Sequence, residues 1–223
     1  SIYAKNIGKY KEVKVKLSPR FNFLVGANGC GKTTLVKLIA EKYASSRNVS
    51  YVAQELSGVI GLSVSDVVEL GRYEPSRFFG GLSKEDNARV IKAIEDMNIS
   101  SFKDRIVDTL SGGEKQRVMI SRALAQDTEW TILDEPSSNL DVKHTEMVMN
   151  KLKELKDNEN KSFIVVLHDI NLASRYADTI LLMKEGRLKA SYDKLTKEAL
   201  GDVYDQAFEE VKLPSGQSLF YPV

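Results

Sequence analysis

The run Gly26-Ala27-Asn28-Gly29-Cys30-Gly31-Lys32-Thr33 satisfies G-x-x-x-x-G-K-[ST] at every fixed position, a spacing suited to nucleotide phosphates. Its glycines let backbone N–H groups close around phosphate oxygens, and a helix starting at the loop adds the partial positive charge of its N-terminus. Lys32 is placed to neutralise the outer phosphates and Thr33 to offer a hydroxyl to Mg²⁺. Asn28, Gly29, Cys30, Gly31 and Thr34 complete the candidate phosphate-binding set. The flanks agree with this reading: Phe21 to Val25 is rich in strand formers, and Thr34 to Glu41 has helix length and composition.

Further along, Ser111 and Glu114 form an S-x-x-E capping box opening a helix, and Gly112 and Gly113 leave that helix start bare. Taken alone, this is an ordinary capped helix. The apolar run Trp130 to Leu133 reads as a buried strand, and it ends in adjacent acids, Asp134 and Glu135. Successive strand residues point to opposite faces, so two adjacent acids can do two different jobs. A second apolar strand, Phe163 to Leu167, ends at His168, which on its own is as readily a cap or a core residue as a functional group. Asp141 suits the N-cap of a helix from Val142 to Leu155, and Gln54 follows a short strand-like piece.

Together these segments resemble the ATP-binding-cassette ATPases, whose signature segment LSGGQ reads Leu110-Ser111-Gly112-Gly113-Glu114 in this chain. The resemblance implies ATP and Mg²⁺, with Asp134 holding the metal's water shell and Glu135 acting on the attacking water. It places His168 as the switch histidine at the γ-phosphate, Gln54 in the Q-loop sensing Mg²⁺ and the permease, and Asp141 in the D-loop between subunits. Tyr10, with Tyr3 as its rival, is the expected adenine-stacking ring. It further implies a head-to-tail homodimer, in which Ser111, Gly112 and Gly113 of one chain face the γ-phosphate held by Gly29, Lys32, Thr33 and Thr34 of the other. Stretches from Leu62 to Arg72 and from His168 to Asp178 are similar to ATPases of metal-chelate importers for siderophores, haem or cobalamin. Such a subunit works at the cytoplasmic face of the membrane, with a separate permease and an extracytoplasmic substrate-binding protein. The alternative is a non-transport cassette ATPase of the iron–sulfur assembly or DNA repair type.

The elements that must position these residues suggest an α/β fold of the P-loop NTPase kind. It has a mostly parallel core sheet, an N-terminal antiparallel β part and an α-helical arm, with strand-like pieces at Glu12 to Leu17 and Phe21 to Val25 before the glycine loop. One domain covers residues 1–223, with 1–55 and 123–223 as the catalytic lobe and about 56–122 as the arm. Within the arm, Ser65 or Asp66 is expected to cap the segment at Val67, while Ser83 and Asp86 open a helix whose Ala88, Ile91 and Ile94 share a face. The apolar segment Leu56 to Leu62, with Arg72, Tyr73 and Arg77, is the expected docking groove for the permease. The tail from Gly201 is punctuated by Pro and Gly and is too short for a regulatory domain.

With 32 Lys plus Arg against 31 Asp plus Glu, the net charge of +1 offers no broad cationic field to nucleic acid. At 42% hydrophobic residues over 223 positions, the chain can bury a substantial core. No apolar run reaches the roughly 18 to 20 residues needed to cross a bilayer, and no signal peptide is expected. Cys30, the single cysteine, excludes an internal disulfide and fits a reducing compartment.

Overall fold

The computed structural model describes residues 2–7, 10–15, 17, 20–43, 48–54, 60–73 and 81–223, with backbone alone for 2–7, 10–15 and Ala190. In chain order the strands are β1 (Ile2–Ile7), β2 (Tyr10–Val15), β3 (Phe21–Gly26), β4 (Val49–Val52), β5 (Trp130–Asp134), β6 (Ser162–Leu167), β7 (Thr179–Lys184), β8 (Arg187–Tyr192), β9 (Phe208–Lys212) and β10 (Ser218–Pro222). The helices are α1 (Lys32–Tyr43), α2 (Val64–Glu69), α3 (Lys84–Asp96), α4 (Gly112–Ala125), α5 (Val142–Glu159), α6 (Ile170–Tyr176) and α7 (Lys197–Tyr204).

Six strands form one sheet in the order β4-β5-β6-β3-β7-β8. All its pairings are parallel except that of β7 with β8. Strands buried on both faces read as continuous apolar runs, and β3 and β6 are buried at every position. The pleat sends alternate residues to opposite layers. Phe21, Phe23, Val25, Phe163, Val165 and Leu167 meet α4, α5 and α6 on one side. Leu24, Ile132, Ile164 and Val166 meet Leu35, Val36 and Ile39 of α1 on the other. The N-terminal antiparallel part is the β1–β2 hairpin, in register Ile2↔Val15.

The helical segment between β4 and β5 uses one device three times. Ser63, Ser83 and Ser111 each occupy an extended N-cap, and Asp66, Asp86 and Glu114 at N3 close the capping box. The first cap therefore falls at Ser63 and not at Ser65 or Asp66, since the helix already begins at Val64. In α3 the buried positions are Asp86, Val90, Ala93 and Ile94, whereas Ile91 is 57% exposed. The helix is rotated from its expected face because Asp86 turns inward to meet Arg72.

Arg72 joins three pieces of this segment. Its guanidinium donates to Asp86 Oδ1 (2.8 Å from Nε) and to the carbonyls of Ala125 (3.2 Å) and Gln126 (3.0 Å) at the end of α4. The charge-assisted bond to Asp86 and a positive charge at a helix C-terminus both favour this arrangement. Arg72 thus faces inward and is not a docking side chain, which corrects the sequence expectation; Leu56, Val59 and Arg77 lie outside the described residues. The tail from Gly201 is also more ordered than its composition suggests. It completes α7 and forms the β9–β10 hairpin, where Asn171 of α6 clamps the Phe220 backbone, accepting from its N–H (2.7 Å) and donating to its carbonyl (3.0 Å).

Hydrogen bonds from Ser83 and then the Arg72 guanidinium hold the Asp86 carboxyl well below the usual carboxylate range. A depressed folded-state pKa contributes stability that is complete above the unfolded carboxylate value of about 4 and is lost as pH falls toward the folded one. Arg72→Ala is expected to lower the thermal midpoint at pH 7 by roughly 4–8 °C, the scale of losing charge-assisted bonds in a chain of this size. Melting curves between pH 7 and pH 3 should show a smaller loss of stability for the variant over the acidic part of that range.

Candidate nucleotide site

Four adjacent parallel strands, β4, β5, β6 and β3, end at the same edge of the sheet, and each delivers a polar residue there. Ligands of open α/β sheets bind at such carboxyl ends. β3 runs into the glycine loop, where Gly29 and Gly31 adopt φ of +71° and +103°, conformations that L side chains rarely enter. The loop then feeds α1, whose first turn carries no acidic residue to compete for an anion. Asn28, Gly29 and Thr34 are exposed at this helix start. Cys30 is buried, with its N–H turned back to the Ala27 carbonyl (3.3 Å) and its own carbonyl accepting from Gly186 (2.8 Å).

Lys32 is only 5% exposed, and its ammonium donates to the carbonyls of Gly26 (2.8 Å) and Ala27 (3.1 Å). Burial pushes its pKa down, opposed by Cys30 and by the acids Glu135 and Asp134. Asp134 is fully buried and is held by two hydroxyls: Thr33 Oγ1 donates to Oδ1 (3.2 Å) and Tyr51 Oη donates to Oδ2 (3.3 Å). Burial raises the Asp134 pKa, and the two hydroxyl bonds oppose that rise.

Glu135 turns the corner beyond β5 with φ of +51°, unusual for a residue with a side chain, and its N–H donates to the Val166 carbonyl (3.1 Å). That turn aims the carboxylate away from Asp134 and between two groups from the flanking strands. Gln54 Nε2 donates to Glu135 Oε2 (2.8 Å), and His168 Nε2 makes a close contact with Oε1. The structure therefore gathers Lys32, Thr33, Gln54, Asp134, Glu135 and His168 at one edge.

The signature residues sit elsewhere in the chain's contacts. Ser111 accepts from Glu114 N–H and donates to Glu114 Oε2 at the start of α4. Gly113 lies so close to Asn139 that a Cβ would stand 2.8 Å from its carbonyl oxygen. Asp141 caps α5, accepting from the His144 N–H (2.8 Å) and contacting His144 Nδ1 (2.8 Å). The rings of Tyr10 and Tyr3 lie outside the described residues. Tyr51 was given no role from the sequence; its place at a strand end beside the strand that delivers Asp134 is the signal that could have found it.

The sequence profile of the ABC transporter family matches residues 11–138. Among curated proteins, the petrobactin import ATP-binding protein FatE of Bacillus anthracis is 30% identical, with the alignment covering 97% of this chain and 98% of that one. The ferric enterobactin transport ATP-binding protein FepC of Escherichia coli is 34% identical over 76% of this chain and 70% of its own. Among solved structures, a dimeric bacterial ABC transporter cassette superposes with a TM-score of 0.73 at 27% identity, over 83% of this chain and 90% of that one. The chain belongs to the ABC transporter family. It is one of the family's ATP-hydrolysing subunits, built on the P-loop ATPase fold with a parallel core sheet.

Gly113→Ala would push its methyl into the Asn139 backbone and displace the segment between Glu135 and Asp141. Because sub-ångström placement governs this kind of chemistry, ATP turnover is expected to fall on the order of tenfold to a hundredfold while circular dichroism retains the fold. Steady-state phosphate release measured beside the spectrum checks both halves.

Proposed function

We propose that this chain is the ATPase subunit of an importer that energises uptake of a metal chelate such as an iron-siderophore, haem or cobalamin. The observation that carries the chemistry is the convergence of Lys32, Thr33, Gln54, Asp134, Glu135 and His168 on one sheet edge. The substrate class rests on the relatives, whose names include petrobactin, ferric enterobactin and cobalamin import proteins.

In this reading the glycine loop and the start of α1 bind the phosphates, and Lys32 leaves its carbonyl partners to neutralise the outer ones. Among the described residues, no group of three or more His, Cys, Asp or Glu side chains could cage a metal. What stands next to the loop is an oxygen donor pair, the Thr33 hydroxyl and the Asp134 carboxylate. That set fits Mg²⁺, which keeps several waters and takes phosphate oxygens rather than a full protein cage. Bound there with Gln54 near, Mg²⁺ supplies charge neutralisation at the phosphates. Glu135 is the base: one carboxylate oxygen exchanges its present partner for the attacking water and accepts its proton, while the other oxygen keeps its own, Gln54 on Oε2 or His168 on Oε1. Catalysis is thus positioning and charge stabilisation, as phosphoryl transfer to water requires.

Ser111, Gly112 and Gly113, exposed or half-exposed at the start of α4, serve the nucleotide of a second chain, with Asp141 and its neighbours between the two. Docking on a membrane permease falls to the arm, where Ile60 (86%), Tyr73 (63%), Leu70 (40%) and Ile106 (40%) are apolar and exposed. Among the described residues no helix is long and apolar enough to cross a membrane, so the pore belongs to the partner. In this reading the subunit works at the cytoplasmic face of the membrane, with a substrate-binding protein on the far side.

Two measurements test the reading. Lys32→Ala is expected to weaken ATP binding, whereas Glu135→Gln keeps binding, loses turnover by a factor on the order of 10² or more and dimerises with ATP by light scattering. Near wild-type turnover in Glu135→Gln would remove it from the base role. For the substrate, vesicles containing the chain and the permease encoded beside it are expected to take up iron-siderophore, haem or cobalamin with ATP; transport of an unrelated solute only would dismiss the metal-chelate assignment.

A further inference from the structure

Asp134 is held from two sides, and only one of the two hydroxyls belongs to the phosphate-binding loop. The second, Tyr51 Oη at 3.3 Å from Oδ2, comes from β4. β4 and β5 run parallel in a register that sets Tyr51 beside Ile132. Ile132 and Asp134 are two residues apart and so share a face. Two residues of strand rise cover about 6.6 Å, close to the reach of a tyrosine from its backbone to its hydroxyl. The phenol hydroxyl of Tyr51 therefore reaches Asp134 across the strand pair. Its ring is fixed at the other end, half-buried against the apolar cluster that includes Leu35, Ile39 and Ile132.

The two hydroxyls are not equivalent once a cation is present. Thr33 stands at the loop, where its oxygen faces the phosphates, and a hydroxyl that ligates a cation no longer holds Asp134 in the same way. Tyr51 reaches the carboxylate from the neighbouring strand, with its ring against the apolar layer, and does not belong to the phosphate-binding loop. Groups that hydrogen-bond a ligating carboxylate fix its orientation, and losing one typically costs 10-fold to 100-fold in metal affinity.

We propose that Tyr51 is a positioning residue that orients the Asp134 carboxylate toward the Mg²⁺ of bound ATP, an inference that rests on Asp134 being the metal-side acid of the proposed function. Tyr51→Phe removes the hydroxyl and keeps the ring in its packing. Tyr51→Leu removes both.

The experiment titrates Mg²⁺ against a fluorescent ATP analogue bound to each variant in the Glu135→Gln background, so that no turnover intervenes, and repeats nucleotide binding in EDTA. Tyr51→Phe is expected to raise the Mg²⁺ concentration for half-maximal binding about tenfold, with affinity in EDTA within about twofold of the parent. Tyr51→Leu should show the same Mg²⁺ defect together with a lowered melting temperature. An unchanged Mg²⁺ midpoint in Tyr51→Phe overturns the proposal, as does a defect in Tyr51→Leu that phenylalanine fully rescues, which would make the role one of packing. Asp134→Asn, run alongside, separates the two levels. A Mg²⁺ defect there with none in Tyr51→Phe sinks the role of Tyr51 alone, and no defect in either sinks the assignment of Asp134 as well.

Discussion

Parallel pairing in a fixed register is the constraint on which the rest of this structure depends. β4, β5, β6 and β3 lie side by side and point the same way, so their ends coincide and whatever residue follows each strand is brought to a common edge. The pleat then decides which layer each group meets. Asp134 shares the face of Ile132 and turns toward α1 and the glycine loop, while Glu135, next in the chain, leaves on a left-handed backbone toward Gln54 and His168. A slip of one residue in β5 would turn Asp134 to the opposite face, away from the Thr33 and Tyr51 hydroxyls. The alternating core residues of β5 and its neighbour β6 oppose that slip, because both layers of the core are built on their alternation.

Charge inside this edge is tolerated because every charged group is already spoken for. Lys32 rests on two loop carbonyls, Asp134 on two hydroxyls, and Glu135 on an amide and an imidazole. An ion taken from water without such partners would cost several kcal/mol. In the proposed function these partners are exchanged for phosphate oxygens and water when nucleotide arrives. The site is thus satisfied without nucleotide and has polar groups of the correct sign already aimed when ATP binds.

Much of this was legible in the sequence, for reasons that are local. The glycine loop, the paired acids and the histidine each follow an apolar run, and apolar runs declare buried strands; the three Ser-x-x-acid caps are likewise short-range signals, although the first was read two residues late. What escaped reading depends on partners distant in the chain. Arg72 looked like a surface cation, yet its partners are Asp86 and carbonyls more than fifty residues on, at the end of α4. Ile91 looked like a core residue because periodicity cannot say which of two overlapping stripes is buried; the inward turn of Asp86 decided it. The tail looked irregular because its order comes from Asn171 holding Phe220, a bond across 49 positions. Tyr51 was invisible for the same reason, since its meaning lies in the neighbouring strand.

The guanidinium of Arg72 grips α4 at its last carbonyls, and the signature serine caps the same helix at its first turn. Fourteen residues separate those ends, so α4 is a strut of about 21 Å. It is held at one end by Arg72 and at the other rests through Gly113 on Asn139. A tilt of roughly 8° about the Arg72 end carries Ser111 through about 3 Å, the length of a hydrogen bond. The cap at Ser111 and the grip of Arg72 thus sit at opposite ends of one helix, tying the signature turn to the same element that Arg72 joins to α3.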